Sequence, residues 1–455
     1  MTAPARRAAL SVLRDIHTAR ADLPHAQARV RQTLPDPRDR ALATEIVVGT
    51  LRWRANLDFI IEQASSRPLT RIDPSILDLL RLSAYQLLHL KRVPDHAVVH
   101  DAVGLARDLR KTSAAPYVNA VLRAIATKDL GSHLPTLPTA AALDDRATRR
   151  RQILDYLSVT QSHPRWLVER WHDRYGTKAA TKWTCFNNTP APITLRVNTL
   201  VSSCEQLAEQ LARGGIETRP GMWATEALVV TRGNPLNSAL ANGRLFWLQD
   251  EAAQLVAELV TAQPGDHVLD ACASPGGKSL IIAGSMSDRG LLVSADVRPG
   301  RTALLSRTLA QAGTRCTRVV RLDARFPPFG PVYQWVVLDA PCSGLGTLRR
   351  DPDIRWKRTA DHLPKLAATQ SALLAGAATA VQSGGRLVYA TCSSEPEENQ
   401  VVVNRFLETH STFAVERPSV AHLAPLIDQD GFFQTLPHRD HLEAFFVATL
   451  RRQIP

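Results

Sequence analysis

The chain has 455 residues, 44% of them hydrophobic, which is enough for two to four domains with ordinary buried cores. Lys+Arg 55 against Asp+Glu 43 gives a net charge of +12 and a pI near 9.8, which fits a surface that approaches phosphates, although no lysine-rich tail concentrates the charge. Six cysteines without a Cys-x-x-Cys pair argue against a disulfide framework and a zinc site and for reduced thiols in a cytoplasmic protein, and the Arg/Ala mixture of Met1 to Arg20 argues against a signal peptide or a membrane span.

Residues 1–130 read as one helical unit. From Arg38 to Gln63 the apolar positions Leu42, Ile46, Val47, Leu51, Leu57, Ile60 and Ile61 recur at helical spacing, as do Ile76, Leu77, Leu80, Tyr85, Leu87 and Leu88. Asp73-Pro74 and Pro94-Asp95 fit helix starts, with Asp as cap and Pro in the first turn. Arg52, Arg54, Arg81, Lys91 and Arg92 are candidates to face RNA, each weighed against a solvated helix face. Residues 131–162, with Pro135, Pro138 and an Asp-Asp then Arg-rich stretch, read as a linker into a connecting helix. Residues 163–245 alternate short apolar runs such as Ile193 to Val197 and Ala227 to Val230 with Gly/Pro/Asn turns, as a small α+β module does.

Residues 246–455 alternate strands and helices in the manner of a doubly wound sheet. His267 to Leu269 leads to Asp270, Leu291 to Ala295 to Asp296, Val319 to Leu322 to Asp323, and Trp335 to Leu338 to Asp339. Four successive strands thereby deliver a carboxylate at their carboxyl ends, the edge where open parallel sheets bind ligands. Any one such Asp is ordinarily only a turn or cap residue, but four in series shift the weighting.

The turn Asp270-Ala271-Cys272-Ala273-Ser274-Pro275-Gly276-Gly277-Lys278 ends like a phosphate loop, yet Cys272 stands where that loop needs its first glycine, and no Gly-x-Gly-x-x-Gly is present. What remains is a Pro-Gly-Gly turn that lets backbone approach an adenosyl group, with Asp296 about twenty residues beyond Gly276, the spacing of a ribose-binding carboxylate. S-adenosylmethionine fits this arrangement better than a phosphate-rich cofactor.

Two cysteine motifs follow, Asp339-Ala340-Pro341-Cys342-Ser343-Gly344 and Tyr389-Ala390-Thr391-Cys392-Ser393-Ser394. Carbon 5 of cytosine becomes nucleophilic once a thiolate adds to carbon 6, and the carbon-5 proton must leave before that sulfur departs, so a second acid/base group near the same ring has a role. Sequence chemistry leaves open which cysteine attacks. Ser394 to Glu397 reads as a capping box opening a helix just after Cys392, and helix-start amides would acidify that thiol. Cys185, Cys204 and Cys316 read as small buried hydrophobes, and Cys272 as a backbone contributor.

With these residues assembled, the sequence resembles the RsmB/Nop2/Sun family of RNA cytosine carbon-5 methyltransferases. The match is carried by Gln249-Asp250-Glu251-Ala252, Cys272 to Lys278, Asp339 to Thr347 and Thr391-Cys392-Ser393, and it is closest to the bacterial 16S rRNA subgroup, in which a NusB-like helical domain precedes the catalytic part. The stretch Leu348 to Trp356 also resembles that subgroup, whereas about Asp129 to His163 matches weakly. The resemblance implies a Rossmann-like class I methyltransferase domain behind the NusB-like bundle and the small α+β module.

It implies that Cys272, Ala273, Ser274, Pro275, Gly276, Gly277 and Lys278 line the S-adenosylmethionine site, that Asp296 holds the ribose and that Asp323 lies by the adenine. Asp339 would face the cytosine or the cofactor's reactive end, Cys392 would be the nucleophile, and Cys342 would help release the product. The expected partner is RNA, foremost 16S rRNA or a small-subunit assembly intermediate, and the expected protein is a monomer with no metal and no membrane. Trp223, Trp247, Arg355 and Trp356 are candidates to read the RNA, though a buried aromatic is the commoner fate of a tryptophan. The same chemistry on another rRNA or tRNA, a non-catalytic NusB-like assembly factor and a P-loop nucleotidase are the alternatives.

Overall fold

The computed structural model describes residues 3–138, 145–242 and 244–454; residues 139–144, part of the expected linker, lie outside the described residues. The chain divides into two compact units, Met1–Thr189 with Leu348–Arg358, and Pro190–Thr347 with Thr359–Pro455.

The first unit is helical: α1 (Pro4–His17), α2 (Leu23–Thr33), α3 (Pro37–Arg52), α4 (Arg54–Ser65), α5 (Pro74–His89), α6 (Asp95–Asp108), α7 (Ala115–Thr127), α8 (Arg146–Asp155) and α9 (Arg165–Asn188), the last broken at Gly176. Aspartates start several of them: Asp22, Asp36, Asp73 and Asp145 each accept from a first-turn backbone N–H. At α6 the expected order is corrected, because Pro94 is the cap and Asp95 lies inside the first turn, where its charge meets the positive helix end. The apolar stripe read as continuous over 38–63 is interrupted at Trp53, whose backbone (φ −98°, ψ 14°) separates α3 from α4. Ile46, Val47, Leu57, Ile61, Leu79 and Leu80 form the centre of the core, each fully buried side chain contributing roughly 1.5–3 kcal/mol.

Two of the basic residues considered as candidates to face RNA, and otherwise as a solvated helix face, are structural instead. Arg81 is buried and donates through Nε and Nη2 to Asp58 at 2.6 and 2.9 Å, and buried Arg52 donates to the Arg349 carbonyl at 3.0 Å. Lys91 and Arg92 are exposed. Arg355, another RNA candidate, is also corrected: it is fully buried and donates to the carbonyls of Ser162 (2.9 Å), Arg52 and Leu348 (both 3.2 Å) and to Asn188 Oδ1 (3.1 Å). Burial lowers its pKa to about 9. Neighbouring Trp356 donates from Nε1 to the Leu51 carbonyl at 2.6 Å and carries the Arg54 guanidinium over its ring, so Leu348–Arg358 is anchored in the helical unit.

The second unit holds two sheets. The smaller is wholly antiparallel, with β1 (Thr194–Val197), β2 (Glu217–Pro220), β3 (Ala227–Arg232) and β4 (Phe246–Leu248) in the order β2-β3-β1-β4. Helix Cys204–Arg213, opened by a Ser203/Gln206 capping box, turns Leu207 and Leu211 onto Leu195, Val197 and Leu228. The larger sheet comprises β5 (His267–Asp270), β6 (Leu291–Asp296), β7 (Thr317–Arg321), β8 (Tyr333–Asp339), β9 (Val381–Thr391), β10 (Phe413–Val415), β11 (Phe433–Thr435) and β12 (Phe445–Arg452). Its order is β10-β12-β9-β8-β5-β6-β7, with β11 on β12. β5 to β9 are mutually parallel, and the antiparallel β12, with β10 and β11 on it, was not foreseen from the repeating strand-helix pattern. Among the described residues no helix is long and apolar enough to cross a membrane.

All six cysteines are free. Cys316 is buried as expected, but Cys185 is exposed and Cys204 half-buried. α9 turns Trp183, Thr184 and Asn187 inward and leaves Cys185 outside, and Cys204 occupies the first turn of a helix whose apolar face is made by Leu207 and Leu211.

Candidate active site

Strand order reverses between β5 and β8, and at such a switch point the carboxyl ends of two neighbouring strands diverge to leave a crevice. β5 ends there in Asp270 and β8 in Asp339. Asp270 is fully buried and its Oδ2 accepts from Ser279 Oγ at 2.6 Å, while Oδ1 has no hydrogen-bond partner among the described residues. Burial pushes its carboxyl up to about 7. The chain then turns through Gly276, whose φ of +108° a side chain would oppose, into helix Gly277–Ser285, which begins without a side-chain cap.

This turn walls a cavity of about 290 Å³. Cys272, Ala273, Ser274, Pro275, Gly277 and Lys278 line it from the turn, Asp270 and Asp339 from the strand ends, and Trp247 and Gln249 face them. Burial pushes the Cys272 thiol up to about 12, so its sulfur stays protonated. Gly276, Asp296 and Asp323 are not among the residues lining this cavity. Asp296 ends β6, buried, and accepts from the Arg298 backbone at 3.1 Å with Arg301 Nε 3.4 Å away. Asp323 lies two residues past β7, where the Arg325 guanidinium binds its carboxylate and lowers its pKa. Of the tryptophans considered as RNA readers, Trp247 is half-buried with the Arg196 guanidinium 4.8 Å above its ring, and Trp223 is half-buried with its backbone N–H on Glu251.

The cysteines meet because of strand register. Asp339 on β8 pairs with Ala390 on β9, and Ala340 donates to the Ala390 carbonyl at 2.8 Å, so the two strands end level. Cys342 emerges three residues past Asp339 and Cys392 two past Ala390, which brings their sulfurs to 3.1 Å. The hydrogen bond to Cys342, followed by burial, holds the Cys392 thiol well above the ordinary thiol range, while the Lys278 charge pulls it down. Lys278 Nζ lies 2.7 Å from Asp339 Oδ2 and 5.8 Å from the centre of the Phe445 ring. Burial works against the ammonium, but the Asp339 carboxylate outweighs it and the Lys278 pKa is raised.

The helix expected to open just after Cys392 starts later. Pro396–Glu398 is a single 3-10 turn whose N-cap residue, Glu395, makes no side-chain cap, and the helix starts only at Gln400, eight residues past Cys392. That turn instead delivers two buried residues which the sequence reading missed. Glu398 accepts from the Ser343 backbone (2.7 Å), from the hydroxyls of Ser343 and Ser393, and from Gln370 Nε2 (3.0 Å). Asn399 accepts from Thr391 Oγ1 and donates to the Ser393 carbonyl at 3.0 Å, bracketing Cys392. Gly346 adds a backbone tie, its N–H donating to the Cys392 carbonyl at 2.9 Å.

The cavity suits S-adenosylmethionine. Pro275 and Trp247 offer apolar faces to an adenosyl group, and the buried acceptors Asp270 Oδ1 and Gln249 Oε1 lack protein donors, as suits a ligand rich in hydroxyl and ammonium donors. Among the described residues no three His, Cys, Asp or Glu side chains group as a metal site.

The family model described as 16S rRNA methyltransferase RsmB/F matches residues 257–451, that of the NusB family residues 3–127, and a ferredoxin-like domain model of RsmF/B-like methyltransferases residues 163–237. The chain is 33% identical over 424 residues to the probable ribosomal RNA small subunit methyltransferase B of Bacillus subtilis, covering 91% of each protein. It is 32% identical to the probable enzyme of that name from Synechocystis sp., covering 98% of this chain and 99% of the relative. In fold it is similar to the crystal structure of PH0851, with a TM-score of 0.81 over 99% of this chain and 100% of that one at 23% identity. A NusB-like helical domain, a ferredoxin-like module and a methyltransferase domain with a mixed sheet are thus joined in one polypeptide, and the chain belongs to the RsmB/F family of S-adenosylmethionine-dependent rRNA methyltransferases.

Proposed function

We propose that this enzyme methylates carbon 5 of a cytosine in 16S rRNA through a transient bond between Cys392 and carbon 6 of the ring. The observation that carries the reading is the pair of free thiols 3.1 Å apart at the ends of two parallel strands, in a site where Lys278 and Asp339 also line the cofactor cavity. The target cytosine leaves its stack so that a sulfur reaches one face of the ring. Cys392 loses its proton to solvent and its thiolate adds to carbon 6, moving the electron pair of the C5–C6 bond toward carbon 5. Asp339 and Lys278, joined at 2.7 Å, face the ring with an acceptor for its amino group and a cation for the charge developing on it.

S-adenosylmethionine, when bound, supplies an electrophilic methyl group, and carbon 5 takes it. Cys342 then assists removal of the carbon-5 proton, which passes on to solvent, the electron pair of that C–H bond restores the C5–C6 double bond, and Cys392 leaves as thiolate. Residues 1–130 and 163–245 are assigned to holding the RNA and residues 246–455 to catalysis. The relatives' name, ribosomal RNA small subunit methyltransferase B, supports the 16S target.

The test is methylation of purified 16S rRNA, digested and separated by liquid chromatography with mass detection, alongside bisulfite sequencing of rRNA from a strain lacking the gene. The expected result is 5-methylcytidine made in vitro and one cytosine unprotected in the deletion strain. A methyl group on any other atom rejects the carbon-5 reading, and loss of protection only in another RNA rejects the 16S assignment.

A further inference from the structure

Glu398 holds the two cysteine loops together from below. Its side chain is fully buried, yet no arginine, lysine or histidine is paired with it among the described residues. Its carboxylate is satisfied by four donors instead. Oε1 takes the Ser343 backbone N–H at 2.7 Å and Gln370 Nε2 at 3.0 Å, and Oε2 takes the hydroxyls of Ser343 and Ser393. Ser343 directly follows Cys342 and Ser393 directly follows Cys392. Gln370 Nε2 also donates to the carbonyl of Pro341, the residue before Cys342, at 3.0 Å. Burying a carboxylate is expensive unless its lone pairs are filled, and filling them here draws the two loops onto one point.

We infer that Glu398 is the positioning residue that sets the separation of the two sulfurs, so that one ring can be attacked by Cys392 and deprotonated by Cys342 without the backbone moving between steps. The inference rests on the proposed two-cysteine chemistry. Glu398 reaches neither sulfur: the hydroxyls and the backbone it holds belong to the neighbouring residues. Its effect is therefore on geometry, and reacting groups displaced by about 1 Å lose on the order of a hundredfold in rate. Of its two oxygens only Oε1 faces obligatory N–H donors, whereas the hydroxyls at Oε2 can rotate to accept. A glutamine with its amide nitrogen at the Oε2 position keeps all four contacts.

The experiment measures two quantities on Glu398→Ala, Glu398→Gln and Ser393→Ala. The first is methyl transfer, resolved into kcat and the KM values for RNA and S-adenosylmethionine. The second is the rate at which diamide, a two-electron oxidant, joins Cys342 and Cys392 in a disulfide, which depends on sulfur separation and needs no substrate. Glu398→Ala is expected to lower kcat roughly a hundredfold with both KM values within about twofold, and to slow disulfide closure in parallel. Glu398→Gln should keep both near the wild-type value, and Ser393→Ala should slow both by an intermediate amount, which serves if Glu398→Ala does not fold. Wild-type closure in Glu398→Ala, or in Ser393→Ala should the alanine variant be insoluble, overturns the inference, as does a Glu398→Gln enzyme as slow as Glu398→Ala. A Cys392→Ala control that still methylates overturns the two-cysteine chemistry itself and leaves the closure rates to judge Glu398 alone.

Discussion

Removing the Cys342 sulfur should make Cys392 more acidic, and removing the Lys278 charge should make it less so. In the wild type the Cys392 thiol hydrogen-bonds to Cys342 Sγ at 3.1 Å, which favours the protonated form, while the Lys278 ammonium favours the thiolate. A hydrogen bond of this kind contributes about 1 kcal/mol, roughly fivefold in an equilibrium constant, so Cys342→Ala should lower the Cys392 midpoint and give roughly fivefold more thiolate at a pH below it. Lys278→Met should move the midpoint up, because the carboxylate of Asp339, 2.7 Å from the lost ammonium, is then uncompensated near the sulfur. The assay is the rate of iodoacetamide alkylation of Cys392 against pH, followed by mass spectrometry of its peptide. The midpoint rather than the rate is compared, since the alanine also opens access. A midpoint that stays put or rises in Cys342→Ala, or falls in Lys278→Met, refutes the reasoning.

The raised Cys392 pKa also makes methyl transfer climb with pH, so the single-turnover rate should increase steadily from pH 6 to pH 9 and show no plateau near neutrality. Asp270 gives a stability effect of defined sign: unfolded, its carboxyl ionises near 3.8, but the fold keeps it protonated up to about 7, so its contribution falls as pH rises between those values. Asp270→Asn should therefore raise Tm at pH 8 by relieving up to about 4 kcal/mol and change it little at pH 3, as calorimetry at the two pH values would show. Gly346→Ala would place a Cβ 1.9 Å from the Ala444 carbonyl oxygen and 2.8 Å from that of Cys392, and should cost about 2 kcal/mol in a urea titration while also reducing kcat.

Carboxylates at the ends of β5, β6 and β8 and cysteines just past β8 and β9 were legible because a strand's period and its terminal turn residues are written locally. That Cys342 and Cys392 serve one ring was read from their chemistry and the resemblance, but their 3.1 Å contact was not, since it depends on the register of two strands separated by a long helix, with Asp339 opposite Ala390. Glu398 and Asn399 escaped for a related reason. An acidic run after a serine reads as a helix start, and only the folded loops supply the Ser343, Ser393 and Gln370 donors that make burial tolerable. Arg52, Arg81 and Arg355 show the reverse error: a basic residue on a helix suggests a phosphate, whereas Asp58 and a set of backbone carbonyls bind these three. Antiparallel β12 was missed because nothing in its own residues distinguishes its direction from that of the parallel strands.

The covalent bond between enzyme and RNA is the step on which the proposed chemistry stands, and it can be seen directly. Wild-type, Cys342→Ala and Cys392→Ala proteins are incubated with 16S rRNA and S-adenosylmethionine, denatured, and resolved by electrophoresis with mass analysis of the crosslinked peptide. The expected result is an RNA adduct that accumulates only in Cys342→Ala, attached at Cys392 and carrying the new methyl group. An adduct in Cys392→Ala attached at Cys342 would reverse the two roles, and full methylation by an enzyme with serine at both positions would contradict the chemistry altogether.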